Sequence, residues 1–300
     1  MNILLTGSTG FVGKKVVESL KNKKIFDNTV LFSARPLNDA KWLDSKDYKF
    51  DNDYLVNNYP EIDTIIHIGA FTPKSGQEAN DVENSTSNII NTDRLLCAAT
   101  RLTNLKKIIY ISTLDVYKET DDELNETAST IPNTMYGWSK LYCEKMVTCY
   151  SEQRGIKYNI LRLGHVFGEG EEKYKKVLPT MIDSAINKRS ITIFGDGEAL
   201  RTFIYVDDVA KAIVNSIDFD FNGIINVVGG ESISINKLAN MIVELSGNEI
   251  AVNHAYSDFK NRNITFDNSK LMCSLLSELT PLEEGIKKEM AYMKNFDRCI

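Results

Sequence analysis

Several residue types are scarce in this chain of 300 residues. It has 6 prolines and no tract rich in Gly, Pro or Ser, so no linker marks a boundary between separate units, and neither repeats nor low-complexity segments occur. Its 5 cysteines (Cys97, Cys143, Cys149, Cys273 and Cys299) are odd in number, irregularly spaced and without a Cys-x-x-Cys pair. That argues against a disulfide framework and fits a reducing cytoplasm. The 3 histidines (His67, His165 and His254) share no paired spacing and offer no metal site. No apolar run approaches a membrane span, and the opening MNILLTGSTGFVG lacks the basic and long apolar regions of a secretory leader. Basic residues number 35 against 41 acidic ones, for a net charge of -6 and a pI near 5.3. Nothing in that balance favours nucleic acid or an anionic membrane, and any anionic ligand must be held by local donors.

What remains is an ordinary composition, 43% hydrophobic and 25% charged, able to bury a real core. Short apolar runs alternate with longer helical patterns through the first half. NILLTG (2–7), NTVLFSA (28–34), DTIIHIGA (63–70), KKIIYIST (106–113) and KYNILRLG (157–164) read as strands buried on both faces of a parallel sheet. Between them, 11–23, 85–102 and 138–155 carry amphipathic helix patterns; in the first, Phe11, Val12, Val16, Val17 and Leu20 share one side. This alternation predicts an α/β fold, a Rossmann-type doubly wound parallel sheet with right-handed crossovers. Beyond about residue 165 the order loosens. There, 169–200 is charged and then helical, 201–217 reads as strand then helix, 222–230 as a strand ending in glycines, and 231–300 as mostly helical with an extended piece near 261–267.

TGSTGFVG (6–13) sits where the first strand meets the first helix. Gly7, Gly10 and Gly13 can supply a tight turn, close approach of backbone to a diphosphate, and close packing of helix on strand, with helix-start N–H groups facing the anion. The glycine spacing is one residue wider than the usual dinucleotide fingerprint, but the strand before and helix after are the context it needs. The second strand ends Ser33-Ala34-Arg35 with no carboxylate. An arginine there can accept the 2′-phosphate of NADP, so NADP(H) is favoured, with NAD(H) as the alternative and a solvated loop as the bland account of Arg35. YGWSK (136–140) places Tyr136 and Lys140 one helical turn apart. An ammonium beside a phenol favours the phenolate and makes a proton carrier usable near neutral pH, although two surface residues would give the same pattern.

Taken in sequence order, the glycine turn, the acid after the third strand, STLDVY (112–117) and YGWSK resemble the extended short-chain dehydrogenases/reductases, specifically the NAD-dependent epimerase/dehydratase family that acts on nucleotide sugars. HIGA (67–70), NIINTDRLL (from Asn88), LRLGHVFGEG (161–170), GDGEALRTFIYVDDVA (195–210), NVVGGESIS (226–234) and FDNSKL (266–271) carry the resemblance along nearly the whole chain. The resemblance implies that residues 1–164 form a dinucleotide-binding Rossmann domain, to which 203–227 returns, and that 165–300 form a smaller, mostly helical substrate lobe. Tyr136 would be the general acid and base, Lys140 would hold the nicotinamide ribose and lower the phenol's pKa, and Thr113 would bind the substrate oxygen. Ser112 would share that role or simply cap the strand. Cofactor contacts carried over are Gly7, Thr9, Gly10, Phe11, Val12, Gly13, Ser33, Arg35, Ile68, Gly69, Ala70 and Asn88, together with Asp51 at the adenine, for which Asp53 is nearly as good a candidate. Arg201 would pair with the substrate diphosphate, the alternative being a structural ion pair to Asp207 or Asp208.

Two departures from the family pattern narrow the expectation. Where the dehydratases carry an Asp-Glu pair after the threonine, this chain has Leu114-Asp115, which argues against a 4,6-dehydratase. Where many 4-epimerases have asparagine, it has His165, either a donor to phosphate or a packed core histidine. With Arg35, the sequence favours NADPH-dependent reduction of a 4-keto-6-deoxyhexose nucleotide. The alternative is an NAD-dependent nucleotide-sugar 4-epimerase, and a third reading is a non-catalytic dinucleotide sensor. A cytoplasmic homodimer is expected, with 85–102 and 138–154 at the interface and Leu141, Met146 and Val147 available there or turned to the sheet.

Overall fold

A computed structural model describes residues 1–37, 41–44, 53–171, 174, 176–257 and 263–296. The first half runs β1 (Ile3–Thr6), α1 (Phe11–Asn22), β2 (Thr29–Ser33), β3 (Lys41–Asp44), α2 (Tyr54–Asn58), β4 (Thr64–His67), α3 (Val82–Ala99), β5 (Lys107–Thr113), α4 (Met135–Arg154) and β6 (Lys157–Leu163). The second half runs β7 (His165–Phe167), α5 (Val177–Ile186), β8 (Ile191–Phe194), β9 (Leu200–Tyr205), α6 (Val206–Asn215), β10 (Gly223–Val227), β11 (Ser232–Ser234), α7 (Ile235–Ser246), β12 (Val252–Ala255), α8 (Ser269–Ser274) and α9 (Leu282–Phe296).

Why the apolar runs become inner strands is clearest in β1, whose residues are all buried. Ile3 and Leu5 join a core cluster that includes Val16, Val17 and Leu20 of α1, whereas Leu4 joins one that includes Leu95 of α3 and Val147 of α4. Successive strand side chains point to opposite faces, so a strand covered on both sides must be apolar at every position. Each such buried leucine or isoleucine stabilises the fold by about 1.5–3 kcal/mol.

Seven strands pair in parallel in the order β10-β6-β5-β4-β1-β2-β3. The order reverses between β1 and β4, and that switch point opens a crevice at the carboxyl ends of the strands. The chain is thus an α/β protein with a Rossmann-type sheet. The far edge is completed by β10, which arrives after β7 to β9 and pairs with β6, while α6 packs on α1. A small sheet of β11, β9 and β7 and a parallel pair of β12 with β8 build the rest, together with α5, α7, α8 and α9.

Elements differ from expectation at their ends. β4 stops at His67, leaving residues 68–70 to turn along the crevice. α3 and α4 start earlier than the apolar pattern suggests, because Asp81 and Thr134 cap them by accepting from the Asn84 and Gly137 N–H groups. β3 escaped sequence reading because it is a short edge strand, only partly buried. Leu141 and Val147 are buried and Met146 packs inward, so all three positions weighed for a dimer interface face the core. Met135, Trp138 and Tyr142 point outward instead, Trp138 at 49% and Tyr142 at 58% exposure. No helix among the described residues is long and apolar enough to cross a membrane.

Candidate active site

The crevice begins where β1 runs into α1. Gly7 turns with φ of 72°, and a Cβ there would lie 2.6 Å from the Gly69 amide nitrogen. At Gly13 a Cβ would lie 2.1 Å from the Gly7 carbonyl oxygen, so helix and turn touch through backbone alone. Gly10 starts α1 without a side-chain cap, and no acidic residue occupies the first turn. The N–H groups of a helix start seek an acceptor there, and the helix dipole favours an anion. The donor set and the bare backbone fit a dinucleotide diphosphate.

Facing this cradle is the inner side of α4. Tyr136 is 6% exposed and Lys140 2% exposed. The Lys140 ammonium donates to the Ile111 carbonyl at 2.7 Å and lies 4.3 Å from the centre of the Tyr110 ring. Burial pulls its pKa down to about 8. The Tyr136 ring meets Phe71 edge to face at 6.4 Å. Burial, then the charge of Asp115, pushes its phenol upward, while hydrogen bonds with Thr72 and Thr113 pull the other way. Burial outweighs those hydrogen bonds, so the phenol is raised on balance. The lysine is desolvated in its turn and its charge is directed at a backbone carbonyl.

A cavity of about 460 Å³ joins cradle and helix. It brings together Gly7, Gly10, Phe11, Val12, Gly13, Ile68, Gly69, Ala70, Ser112, Thr113, Tyr136, Lys140 and His165 of the residues singled out from sequence. Thr9, Ser33, Arg35, Asn88 and Arg201 are not among its lining residues. The Asn88 side chain acts one step back: it accepts from the Phe71 N–H at 2.7 Å and donates to the Ser139 hydroxyl at 3.2 Å, fixing the loop and the helix around Lys140. The Ser33 hydroxyl donates to the Arg35 carbonyl at 2.7 Å and accepts from the Trp42 indole at 3.2 Å, while Arg35 is exposed. In the β2–β3 register Ser33 lies opposite Asp44, so a carboxylate does stand beside the end of β2. Asp51 lies outside the described residues, and Asp53 pairs with Arg101 on the surface.

Ser112 donates to Glu144 at 2.6 Å, and both Ser112 and Thr113 line the cavity at this strand end. Arg201 donates to the Leu200 carbonyl at 2.8 Å, and the carboxylates weighed as its partners are engaged elsewhere: Asp207 with Lys15, Asp208 with Thr280 and Lys211. His67 is a packed strand-end histidine, bonded to Thr6 at 2.7 Å and Thr92 at 3.1 Å, with its pKa lowered to about 3 by burial and by Lys140. His165 lies 3.3 Å through Nδ1 from the Thr202 carbonyl oxygen. Burial, with Arg201 and Lys176 nearby, lowers its pKa to about 4.

Sequence reading passed over two sets of residues. Thr72, Tyr174, Lys176 and Asn263 also line the cavity, outside any motif that local spacing announces, as does Asp115 of STLDVY. Asp115 is exposed at the cavity rim, and partial desolvation there pushes its carboxyl up. The second set is the pair Glu144 and Arg162, each 2% exposed in its side chain, joined at 2.7 and 2.9 Å. Arg162 also covers the Tyr117 ring at 4.6 Å, and the Tyr117 hydroxyl donates to Asn226 on β10 at 2.7 Å. This network locks α4 to β5, β6 and β10, and removing one partner of such a buried pair costs about 3–5 kcal/mol. Its signal was present: an arginine inside an otherwise apolar strand run, and Tyr136, Lys140 and Glu144 spaced four apart on one helix face.

A parallel sheet with a glycine cradle at its switch point, and a tyrosine and lysine facing that cradle, defines the extended short-chain dehydrogenase/reductase class. Within it, the model of the "NAD dependent epimerase/dehydratase family" matches residues 3–228, and the chain belongs to that family of nucleotide-sugar enzymes. A Methanocaldococcus jannaschii protein provisionally assigned as a UDP-glucose 4-epimerase is 29% identical across 99% of both chains. The UDP-N-acetylglucosamine 4-epimerase of Methanobrevibacter ruminantium, solved with UDP-N-acetylmuramic acid, superposes with a TM-score of 0.85 at 27% identity over 98% of each chain. The UDP-glucuronic acid 4-epimerase of Bacillus cereus, solved with NAD, superposes at 0.84 with 26% identity over 99% of each.

Proposed function

We propose that this protein is an NAD-dependent 4-epimerase of a UDP-hexose. The observation that carries the reading is that Thr113, Tyr136 and Lys140 open into the same cavity as the glycine cradle. Residues 1–164, completed by β10, would hold the dinucleotide, and 165–300 would supply much of the sugar-nucleotide side. Epimerisation is preferred over reduction because the two solved relatives above are 4-epimerases, one of them holding NAD, and the M. jannaschii protein is provisionally assigned as one. Asp44 beside Ser33 supports NAD, since a carboxylate at this place suits a ribose 2′-hydroxyl. Arg35 is the observation behind a second reading, NADPH-dependent reduction of a 4-keto-6-deoxyhexose nucleotide.

The dinucleotide, when bound, supplies a hydride acceptor and donor. The chain's own residues handle the proton and the geometry. Thr113, at the end of β5, holds the sugar oxygen by hydrogen bond beside Tyr136. Tyr136 takes the proton from that oxygen as phenolate, becoming the phenol, and returns it from the phenol, which is general acid and base catalysis from one atom. Because burial and Asp115 keep Tyr136 protonated, it needs positive charge close by to act as the base. Lys140 is the protein's source of that charge, and it is lost as the pH rises through about 8.

Purified protein given UDP-glucose without added cofactor should form the C4 epimer, and mass spectrometry of the heat-denatured supernatant should find NAD. An unchanged sugar, with NADPH oxidised by a 4-keto-6-deoxy substrate instead, would replace epimerisation by reduction. The apolar outer face formed by Met135, Trp138 and Tyr142 of α4, with Val82 and Ile90 of α3, supports a homodimer. The described cysteines are unpaired, which supports a cytoplasmic setting.

A further inference from the structure

His165 opens β7, two residues beyond Leu163, which pairs in register with Thr113 at the end of β5. It lines the cavity into which Thr113, Tyr136 and Lys140 also open. Its imidazole is held on two sides, by the Thr202 carbonyl at 3.3 Å from Nδ1 and by the Phe203 ring at 5.8 Å between centres. A carbonyl oxygen only accepts, so Nδ1 carries the proton. The charged groups facing the ring are Arg201 from β9 and Lys176 from the residue before α5, and both are cations. Together with burial they hold the ring neutral. A neutral imidazole protonated on Nδ1 presents a lone pair on Nε2 and can only accept there.

We propose that His165 reads the sugar, its Nε2 accepting a hydrogen bond from a neutral hydroxyl or amide N–H of the substrate, and that it does not grip the diphosphate. A phosphate oxygen is itself an acceptor and meets a lone pair unfavourably, whereas the flanking cations suit it: Arg201, and Lys176, which pairs with Glu171 at 2.9 Å. The inference rests on the sugar-nucleotide reading of this cavity. It makes the position a specificity determinant, selecting substrates by where they carry a donor.

Calorimetric titration of the wild type, His165→Phe and His165→Gln with UDP-glucose and with UDP tests this. His165→Phe should weaken UDP-glucose roughly tenfold, the loss of one neutral hydrogen bond, and weaken UDP by less than about twofold. His165→Gln retains a donor for Thr202 and an acceptor for the cavity, and should stay within about threefold of wild type for both. Wild-type affinity for UDP-glucose should be level from about pH 8 to pH 6, because the ring stays neutral throughout. Equal weakening of UDP and UDP-glucose, a Gln variant no better than Phe, no effect of Phe, or affinity that tightens towards pH 6 would each overturn the proposal. A wild-type protein that binds neither UDP nor UDP-glucose would remove the sugar-nucleotide reading itself, an outcome distinct from the others.

Discussion

The two walls of the cavity are built by different means. The wall around Gly7 and Gly13 is backbone packed on backbone, with the space for any Cβ already filled. The opposite wall is made of side chains, Thr113, Tyr136, His165 and Lys176 among them, delivered by separate strands, helices and loops. A backbone wall recognises what its ligands share, a diphosphate and its charge. A side-chain wall can be altered one residue at a time without moving the scaffold, so selectivity and proton chemistry belong there.

That contrast can be broken by substitution. Gly13→Val places a Cβ inside the Gly7 carbonyl and should have the largest effect: no dinucleotide retained on purification and a lowered melting temperature, both directly measurable. A variant that keeps its dinucleotide and its melting temperature would show that this wall yields like the other. Tyr136→Phe should come next, with kcat down about 10²–10⁴-fold while the bound dinucleotide and the melting temperature stay as in wild type. Activity close to wild type would take the proton carrier away from Tyr136. The smallest effect on chemistry should come from the outer side of the same helix. With Trp138→Glu and Tyr142→Glu combined, light scattering should fall from twice the 33.9 kDa chain mass to once, with kcat per chain within about threefold of wild type. A wild type already at 33.9 kDa would remove the dimer.

The same division explains what could be read from the chain alone. The sheet was legible because inner strands must be apolar throughout, and the cradle because only glycine fits where backbones meet at Gly7 and Gly13. Tyr136 and Lys140 were legible because a helix fixes their spacing. Asp44 was not, since it reaches Ser33 only through the pairing of an edge strand that the composition of residues 41–44 barely signals. Lys176 and Asn263 were not, because tertiary packing and not local spacing brings them to the cavity. The protonation of Tyr136 depends on burial, which no spacing reveals. Spacing brings Lys140 near, but burial of both groups outweighs their proximity.

The return of β10 to the edge of β6 carries a consequence for modularity. Cutting the chain at 164 would strand an open sheet margin and sever the tie from Tyr117 to Asn226. The two functional halves are therefore not detachable parts, and exchanging the sugar-reading portion between relatives would require two seams, one on either side of the strand that comes home.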